Sequence, residues 1–223
     1  RLGSNNLGEA ESLAVNSLIL SIILSIITAA IFLSAGRYIY SFLGGSGAVL
    51  EQTIAYSNYL FAGSSAIWVA NTLAGITRAT GNVWTAAKHL IAGYFVQVLI
   101  SALLTFGIGP FPKMGISGAA IGLISGYIFT SCLLSFYLIT HCQELKLRFL
   151  ETKINLPSTL VIFKIGLISS LNPICSVASV VAMTSFMANF GVETLAGFGI
   201  GARLEFLMIP MIFGFGAAST ALV

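Results

Sequence analysis

The sequence has very little charge. Only 8% of its 223 residues are Asp, Glu, Lys or Arg, whereas 57% are hydrophobic and the mean hydropathy is +0.98. A soluble domain carries charge on roughly a quarter of its residues, because its surface must be hydrated. The shortage of charge therefore excludes an ordinary water-soluble domain and predicts a membrane protein.

Cysteine and histidine are also scarce. Cys132, Cys142 and Cys175 are odd in number and form no Cys-x-x-Cys pair, so we expect small apolar side chains in reduced form. His89 and His141 have no second ligand at helical spacing, which predicts no metal site. We expect no cofactor, and a formal net charge of only +3 predicts no nucleic-acid partner.

Motifs of catalysis are absent as well. The sequence contains no His-Glu-x-x-His, no Gly-x-Ser-x-Gly and no acidic pair inside an apolar run, so we do not expect an enzyme. It also has no recognisable selectivity-filter loop and no acidic motif that could form a ring, which disfavours an ion channel.

Long apolar runs are what the sequence does have. A membrane-spanning helix needs about 20 apolar residues, because the hydrocarbon core is roughly 30 Å thick. Six stretches satisfy this requirement, at approximately residues 13–35, 54–77, 90–106, 116–139, 165–190 and 195–223. The sequence thus predicts an all-α fold, a polytopic transmembrane bundle of about six spans.

The basic residues are distributed unevenly between the connecting segments. Six spans place loops 1–12, 78–89 and 141–164 on one side of the membrane, and these segments hold seven basic residues: Arg1, Arg78, Lys88, Lys146, Arg148, Lys153 and Lys164. The other side holds Arg37 and Lys113. Because short cytoplasmic loops are enriched in Lys and Arg, we predict that the richer side faces the cytoplasm of a bacterial plasma (inner) membrane.

The domain organisation follows from the longest charged connector. Residues 141–157 are predicted to be a cytoplasmic linker between a first lobe, residues 1–140 with four spans, and the start of a second lobe, residues 158–223 with two spans. The sequence does not begin with Met, and Val223 lies inside an apolar run, so we expect a piece of a longer protein.

Small and polar residues at helical spacing predict contacts within the first lobe. Gly118, Gly122 and Gly126 recur every four residues, which favours close helix packing. Gln97 and Ser101 lie one turn apart and share a face, on which they either bond to a neighbouring helix or line a cavity. Asn71 with Thr72, and the serine stripe Ser17, Ser21 and Ser25, leave the same two alternatives open.

Prolines and charges mark the last two spans. Pro173, flanked by Asn172 and Ser176, and Pro210 each remove one backbone hydrogen bond, and each predicts either a packed kink or a helix break used as a substrate or ion site. Arg203 and Glu205 lie near membrane depth, where ionisable groups are candidates for function. The alternative is that these two side chains extend to the interface.

Four segments, taken in order, resemble one family of membrane transporters. The opening residues 1–12 resemble a cytoplasmic loop, Arg78-Ala-Thr-Gly-Asn82 resembles a second loop, and Gly109-Pro-Phe-Pro-Lys-Met-Gly-Ile-Ser-Gly-Ala-Ala120 is similar to a third connector. Ala196-Gly-Phe-Gly-Ile-Gly-Ala-Arg-Leu-Glu205 resembles a glycine-rich helix. Together these segments resemble helices three to eight of the multidrug and toxin extrusion (MATE) family.

The resemblance implies one half of a twelve-helix, two-lobe transporter that works by alternating access. It implies export of cationic or amphipathic drugs or metabolites in exchange for H⁺ or Na⁺. Gln97 and Ser101 stand where part of the family has Asn and Asp, and Ser176 stands nearest to a Glu found in another part. As cavity or coupling candidates we therefore name Gln97, Ser101, Asn71, Asn172, Ser176, Arg203 and Glu205.

The expected partners are a small-molecule substrate and the lipid bilayer, and we expect a monomer. The alternative function is a flippase of lipid-linked oligosaccharides or polysaccharides from the same wider superfamily. Such proteins hold pyrophosphate with many basic residues, and the single Arg inside the spans disfavours it.

Overall fold

The computed structural model describes residues 7–42, 47–142, 156–187 and 190–222. Seven helices and no strand occur in these ranges, as the predicted all-α class requires. The helices are α1 (Leu7–Phe42), α2 (Gly47–Ala62), α3 (Ser64–Ala79), α4 (Val83–Phe106), α5 (Ile116–Thr140), α6 (Leu156–Met187) and α7 (Val192–Leu222).

Four of these helices are long and apolar enough to cross a membrane, and the count is five if the bent pair α2 and α3 forms one span. The four are the parts of α1, α4, α5 and α6 at residues 10–42, 83–106, 116–140 and 159–184. The expected number of about six spans is therefore approximate. The chain is an integral membrane protein with apolar helices.

The helices are longer than the apolar runs that predicted them. The first run, residues 13–35, lies within a helix of 36 residues, and α4 begins at Val83 although residues 78–89 were predicted to be a loop. Charged side chains such as Arg37 and Lys88 end an apolar run without ending a helix, because their backbone groups still form helical hydrogen bonds. The connection between α3 and α4 is thus residues 80–82 only.

The second predicted span, residues 54–77, is wrong as a single straight helix. Its helix breaks at Gly63, where the axes of α2 and α3 differ by 50°. The side chain of Ile124 on α5 occupies the space beside Gly63, so the backbone can approach α5 only where there is no Cβ. The sequence pattern contains no proline here, which is why the bend was missed.

The chain divides into two compact units, residues 1–159 and residues 160–223. In the first unit α4 packs along α5, and α3 packs against α1, α4 and α5. Its buried core joins Ala14 and Leu18 of α1, Leu73 of α3, and Leu134 and Leu138 of α5. The second unit contains α7 and nearly all of α6. The predicted linker falls largely on residues 143–155, outside the described residues, and stays a prediction.

The described contacts also show which helix ends lie together in the first unit. Ala10 of α1 packs in one cluster with Leu138 and Cys142, and Asn82, before α4, bonds to Tyr137 near the end of α5. Arg37 of α1 pairs with Glu51 of α2 at the opposite end, with 2.7 Å between Nη2 and Oε1. The helices of this unit therefore run alternately up and down.

Candidate functional site

Helices α4 and α5 pack closely along a seam, which is formed by Gly93, Gln97, Ser101 and Leu104 on α4 and by Gly118, Gly122, Gly126 and Thr130 on α5. A methyl group at Gly126 would lie 2.7 Å from both Gln97 Cβ and the Gly93 carbonyl oxygen, and one at Gly118 would lie 2.6 Å from the Leu104 carbonyl carbon. The glycines on α5 thus lie directly against the backbone of α4.

The two seam candidates are half-buried. The Ser101 hydroxyl donates to the Ala119 carbonyl oxygen at 3.3 Å, and a Cβ on Gly122 would overlap Ser101. Gln97 lies against Gly126 through its Cβ. Ser101 therefore makes an interhelical contact, which is one of the two alternatives that the sequence left open.

A polar cluster from three helices lies halfway along the unit. Tyr127 on α5 has the side chains of Tyr94 on α4 and Asn71 on α3 as polar neighbours. The Asn71 Nδ2 donates to the Ile67 carbonyl oxygen of its own helix at 2.8 Å. Tyr94 is the twelfth of 24 residues in α4, and Tyr127 is the twelfth of 25 in α5. We call Asn71, Tyr94 and Tyr127 the mid-depth cluster. It lies at a depth where lipid offers no hydrogen-bond partner.

The mid-depth cluster is not enclosed by the described helices. Asn71 is exposed, Tyr94 is 49% exposed and Tyr127 is partly buried. Tyr94 also shares one face of α4 with Gln97 and Ser101, because the three follow one another at steps of three and four residues. Together they form a polar face on an otherwise apolar helix.

Sequence reasoning named Asn71 but missed both tyrosines. Tyrosine is usually counted as apolar, and in membrane proteins it concentrates at the interfaces. The signal that would have found Tyr94 and Tyr127 is their distance from either end of a span, because a phenol in the middle of a span needs a partner.

The serine stripe on α1 is satisfied within the protein. The hydroxyls of Ser17, Ser21 and Ser25 donate to the carbonyl oxygens of Leu13, Leu18 and Ile22, each at 2.8 Å. Ser64 of α3 donates to the Ser25 carbonyl oxygen at 3.4 Å. Hydroxyls that bond their own helix are typical of serine inside a membrane.

Asn16, beside this stripe, was not singled out from the sequence. Its side chain is 1% exposed and its Nδ2 donates to Ser12 Oγ at 3.4 Å. Its Oδ1 has no hydrogen-bond partner among the residues that the structure describes. A buried amide oxygen normally accepts a hydrogen bond, so Asn16 is an additional polar group inside the first unit.

An aromatic cluster joins α4 and α5 at the end that carries Arg78. The Tyr137 ring stacks on His141 with centroids 5.9 Å apart and lies 6.1 Å from the His89 ring. Asn82 Nδ2 donates to the Tyr137 hydroxyl at 2.7 Å, while Asn82 Oδ1 accepts from the Thr85 amide at 3.1 Å. Both histidines therefore take part in packing at a helix end, and within the described ranges no group of three or more His, Cys, Asp or Glu could hold a metal.

In the second unit, the predicted candidates lie on α6 and α7. Ser176 and Glu205 are exposed, and Glu205 is the fourteenth of the 31 residues of α7. The side chains of Asn172, Arg203 and Pro210 lie outside the described residues. The helix α6 continues through Pro173 instead of ending there, since one proline removes one backbone bond while the adjacent turns keep theirs.

The fold and these sites define a class of protein. A polytopic helical membrane protein with a glycine-packed helix pair and polar side chains at mid-depth is typical of membrane transporters. The MatE family model matches residues 1–103.

Relatives and solved structures match beyond that range. The chain is 25% identical over its full length to a protein of Thermotoga maritima named probable multidrug resistance protein NorM, and 25% identical over 97% of its length to a FAD transporter of Shewanella oneidensis. A crystal structure of MATE in complex with MaL6 matches 98% of the chain with a TM-score of 0.86 and 25% identity, and the chain covers 48% of that structure. The chain spans about half the length of the curated relatives it matches. The chain is thus similar to MATE transporters, by the family model over residues 1–103 and by likeness to MATE structures over nearly its whole length.

Proposed function

We propose that the chain is part of a secondary active efflux transporter, which exports cationic or amphipathic small molecules in exchange for H⁺ or Na⁺. The observation that carries the proposal is the polar face at mid-depth, from Asn71 and Tyr127 through Tyr94 to Gln97. Hydrocarbon cannot satisfy such groups, whereas a water-filled path or a bound substrate can. The relative from Thermotoga maritima is named a probable multidrug resistance protein, which supports export of drug-like molecules.

Alternating access is the mechanism that we propose. A ligand shifts an equilibrium between two conformations only by its differential affinity for them, so substrate and coupling ion must each prefer one state. The α4–α5 seam supports a motion in which α4 and α5 move together as one rigid element, because the backbones of the two helices are in direct contact. The bend at Gly63 supports a change in the orientation of α2 relative to α3 at this residue.

A coupling group must change its protonation or its bound ion during the transport cycle. Gln97 and Ser101 carry no charge, so they cannot exchange a proton near neutral pH. Glu205 is the acidic side chain in the middle of α7, and we propose that it takes part in coupling, with Arg203, Asn172 and Ser176 as further polar contacts. We propose H⁺ or Na⁺ as the coupling ion, and a monomer in the bacterial inner membrane.

The orientation in the membrane is also a proposal. Arg78 and Lys88 are exposed at the same end of the first unit, the end at which α1 begins and α5 terminates. The excess of basic residues in the segments at that end supports placing it in the cytoplasm. Labelling of single cysteines at Lys88 and Lys113 from outside the cell tests it, and access to position 88 but not 113 would contradict it.

Transport itself is tested with the full-length protein in proteoliposomes loaded with a cationic dye. We expect dye efflux when a pH or Na⁺ gradient is imposed, and none when both gradients are collapsed. Liposomes without protein are the control. Efflux that follows neither gradient would contradict secondary active transport, and absence of any movement would contradict the proposed function.

A further inference from the structure

Helix α2 and the C-terminal part of α1 are joined by side-chain contacts at three places. The rings of Phe32 and Phe61 stack, with centroids 4.1 Å apart and an angle of 1° between their planes. The Tyr40 hydroxyl forms a hydrogen bond with the hydroxyl of Ser57, which is buried, and the exposed ion pair described above is the third contact. We call α2 together with residues 29–42 of α1 the α1–α2 pair.

The contacts of α2 with the other helices are of a different kind. Helix α2 packs against α5, and the apolar side chain of Ile124 lies against Gly63 at the end of α2. Among the described residues, however, no side-chain hydrogen bond, ion pair or ring contact joins α2 to α3, α4 or α5. Stacked rings and hydroxyl bonds depend on direction and hold two helices in one arrangement. Such contacts fasten α2 to α1 and, in the part of the chain that is described, not to α5.

Helix α3, on the other side of the bend, is bonded to α5. Ser131 of α5 donates to the Ala66 carbonyl oxygen at 3.4 Å, and Leu73 lies in the buried core with residues of α1 and α5. Gly63 connects the two helices: its N–H donates to the Tyr59 carbonyl oxygen and its own carbonyl accepts from the Ala66 amide, each at 3.1 Å. A few backbone dihedrals are sufficient to reorient one element relative to another. A single residue therefore separates the fastened helix α3 from α2.

Helix α1 has no break at this depth, but its hydroxyl groups weaken it there. Ser21 and Ser25 donate to carbonyl oxygens three residues earlier, and Thr28 donates to one four residues earlier. Such bonds compete with the helical N–H donors and often bend a helix. Ser64, the first residue of α3, donates to the Ser25 carbonyl oxygen at 3.4 Å. The segment of α1 that can flex therefore lies beside the bend at Gly63.

We infer that the α1–α2 pair moves as one body, which swings about the level of Gly63 and Ser25 and gates the end of the transporter opposite Arg78. The inference rests on the proposed function, because alternating access requires each end to open in turn. It adds which part of the first unit moves, and it requires α3, α4 and α5 to stay together during the motion. A bend at one glycine and a weakened stretch of the neighbouring helix are sufficient for such a hinge.

Distances between pairs of spin labels test the inference in the full-length protein, in a cysteine-free background that retains efflux. Labels at Tyr38 and Val49 report on the two helices of the α1–α2 pair, and a label at Phe106 reports on the same end of α4. All three side chains are exposed. The distances are compared at low and neutral pH, each with and without Na⁺ and a cationic dye. We expect the Val49–Phe106 distance to change by about 5 Å or more, and the Tyr38–Val49 distance by less than about 2 Å.

A covalent bridge within the pair provides an independent measurement. Phe32→Cys combined with Phe61→Cys, joined by a short reagent that reacts with both thiols, fastens the two helices without blocking their common swing. Dye efflux should therefore stay within about twofold of the unbridged variant. Phe32→Ala removes the ring stack and should broaden the distribution of Tyr38–Val49 distances. Tyr59→Ala is the matched control, because this exposed ring of α2 has no ring contact among the described residues, and the distribution should stay narrow.

The outcomes distinguish the inference from the proposed function. A wild-type protein that shows no efflux under any gradient would overturn the proposed function and the inference with it. Efflux with an unchanged Val49–Phe106 distance, or with a Tyr38–Val49 distance that changes as much, would overturn the inference alone. Loss of efflux on bridging positions 32 and 61 would also overturn it. If the bridged variant fails to fold, as thermal unfolding would show, the two distances in the labelled proteins decide.

Discussion

Ile124 of α5 lies against Gly63, the single residue between α2 and α3. A methyl group at Gly63 would approach Ile124 Cδ1 to 2.5 Å and its Cγ1 and Cγ2 to 2.7 Å. The backbone at Gly63 has φ −96° and ψ 7°, which any L-residue can adopt. The requirement for glycine here is therefore one of space and not of backbone conformation.

Replacing Gly63 by Ala should destabilise the protein by about 1–3 kcal/mol, because the new methyl group overpacks a filled contact. Adding Ile124→Ala should recover most of the loss, since the colliding side chain is then gone. Thermal unfolding of purified protein in detergent measures the effect. Gly75→Ala is the matched control, because at Gly75 only the end of the Arg78 side chain lies nearby, at 3.9 Å. A double variant less stable than Gly63→Ala would contradict the packing assigned to this contact.

At Gly126 the obstacle is backbone as well as side chain. A methyl group there would lie 2.7 Å from the Gly93 carbonyl oxygen, which no rotamer change can move. We expect Gly126→Ala to cost at least as much as Gly63→Ala, about 1–3 kcal/mol or more. Truncating Gln97 to Ala should not restore stability, because its Cβ remains. Loss of folded protein is measured by size-exclusion chromatography, and Gly166→Ala on α6, which has no neighbour within 4 Å, is the control.

Asn82 makes two contacts at the start of α4 that can be separated by substitution. Asn82→Ala removes both the N-terminal cap on Thr85 and the bond to the Tyr137 hydroxyl, so it should destabilise by about 1–2 kcal/mol. Asn82→Asp keeps an acceptor for the cap, and Tyr137→Phe removes only the second bond, so each should cost less. Unfolding temperatures measure all three. Equal loss in all three variants would show that the cap contributes nothing of its own.

The ion pair between Arg37 and Glu51 should matter little. Their side chains are 64% and 63% exposed, and exposed pairs typically contribute no more than about 1 kcal/mol. We expect a coupling energy below that value in a double-mutant cycle with Arg37→Gln and Glu51→Gln. A larger coupling would indicate that this end of α1 and α2 is shielded from water in the membrane-embedded protein.

Hydrophobicity predicted the existence of the helices well and their geometry poorly. An apolar run shows where a chain can enter lipid, which is why α5 was placed within one residue of its observed end. It cannot show that the helix containing residues 54–77 bends at Gly63, because the cause is a side chain 61 positions later in the chain. An apolar run is also shorter than its helix where Lys or Arg lies near the helix end. The first run stops before Arg37, and the third run starts after Lys88.

The candidate site was predictable in its polar residues and not in its aromatic ones. Gln97 and Asn71 are conspicuous in apolar runs, because an amide has no place in hydrocarbon unless it is bonded. Tyr94 and Tyr127 become candidates only in the folded structure, where the helices bring them to the same depth. The seam glycines followed from their spacing, whereas the residues of α4 that they contact depend on how α4 and α5 are aligned, which no local pattern specifies.

The last prediction concerns Glu205, near the centre of α7. If its carboxylate takes part in coupling, Glu205→Gln removes the group that exchanges charge, and dye efflux against a gradient should fall by about tenfold, within the range of allosteric coupling energies. Glu193→Gln is the matched control, because Glu193 is exposed in the first turn of the same helix, and its efflux should stay within about twofold. Both variants are measured in proteoliposomes with an imposed pH gradient and, separately, an imposed Na⁺ gradient. Loss under only one gradient would identify the coupling ion, whereas unchanged uphill efflux under both would remove Glu205 from the mechanism.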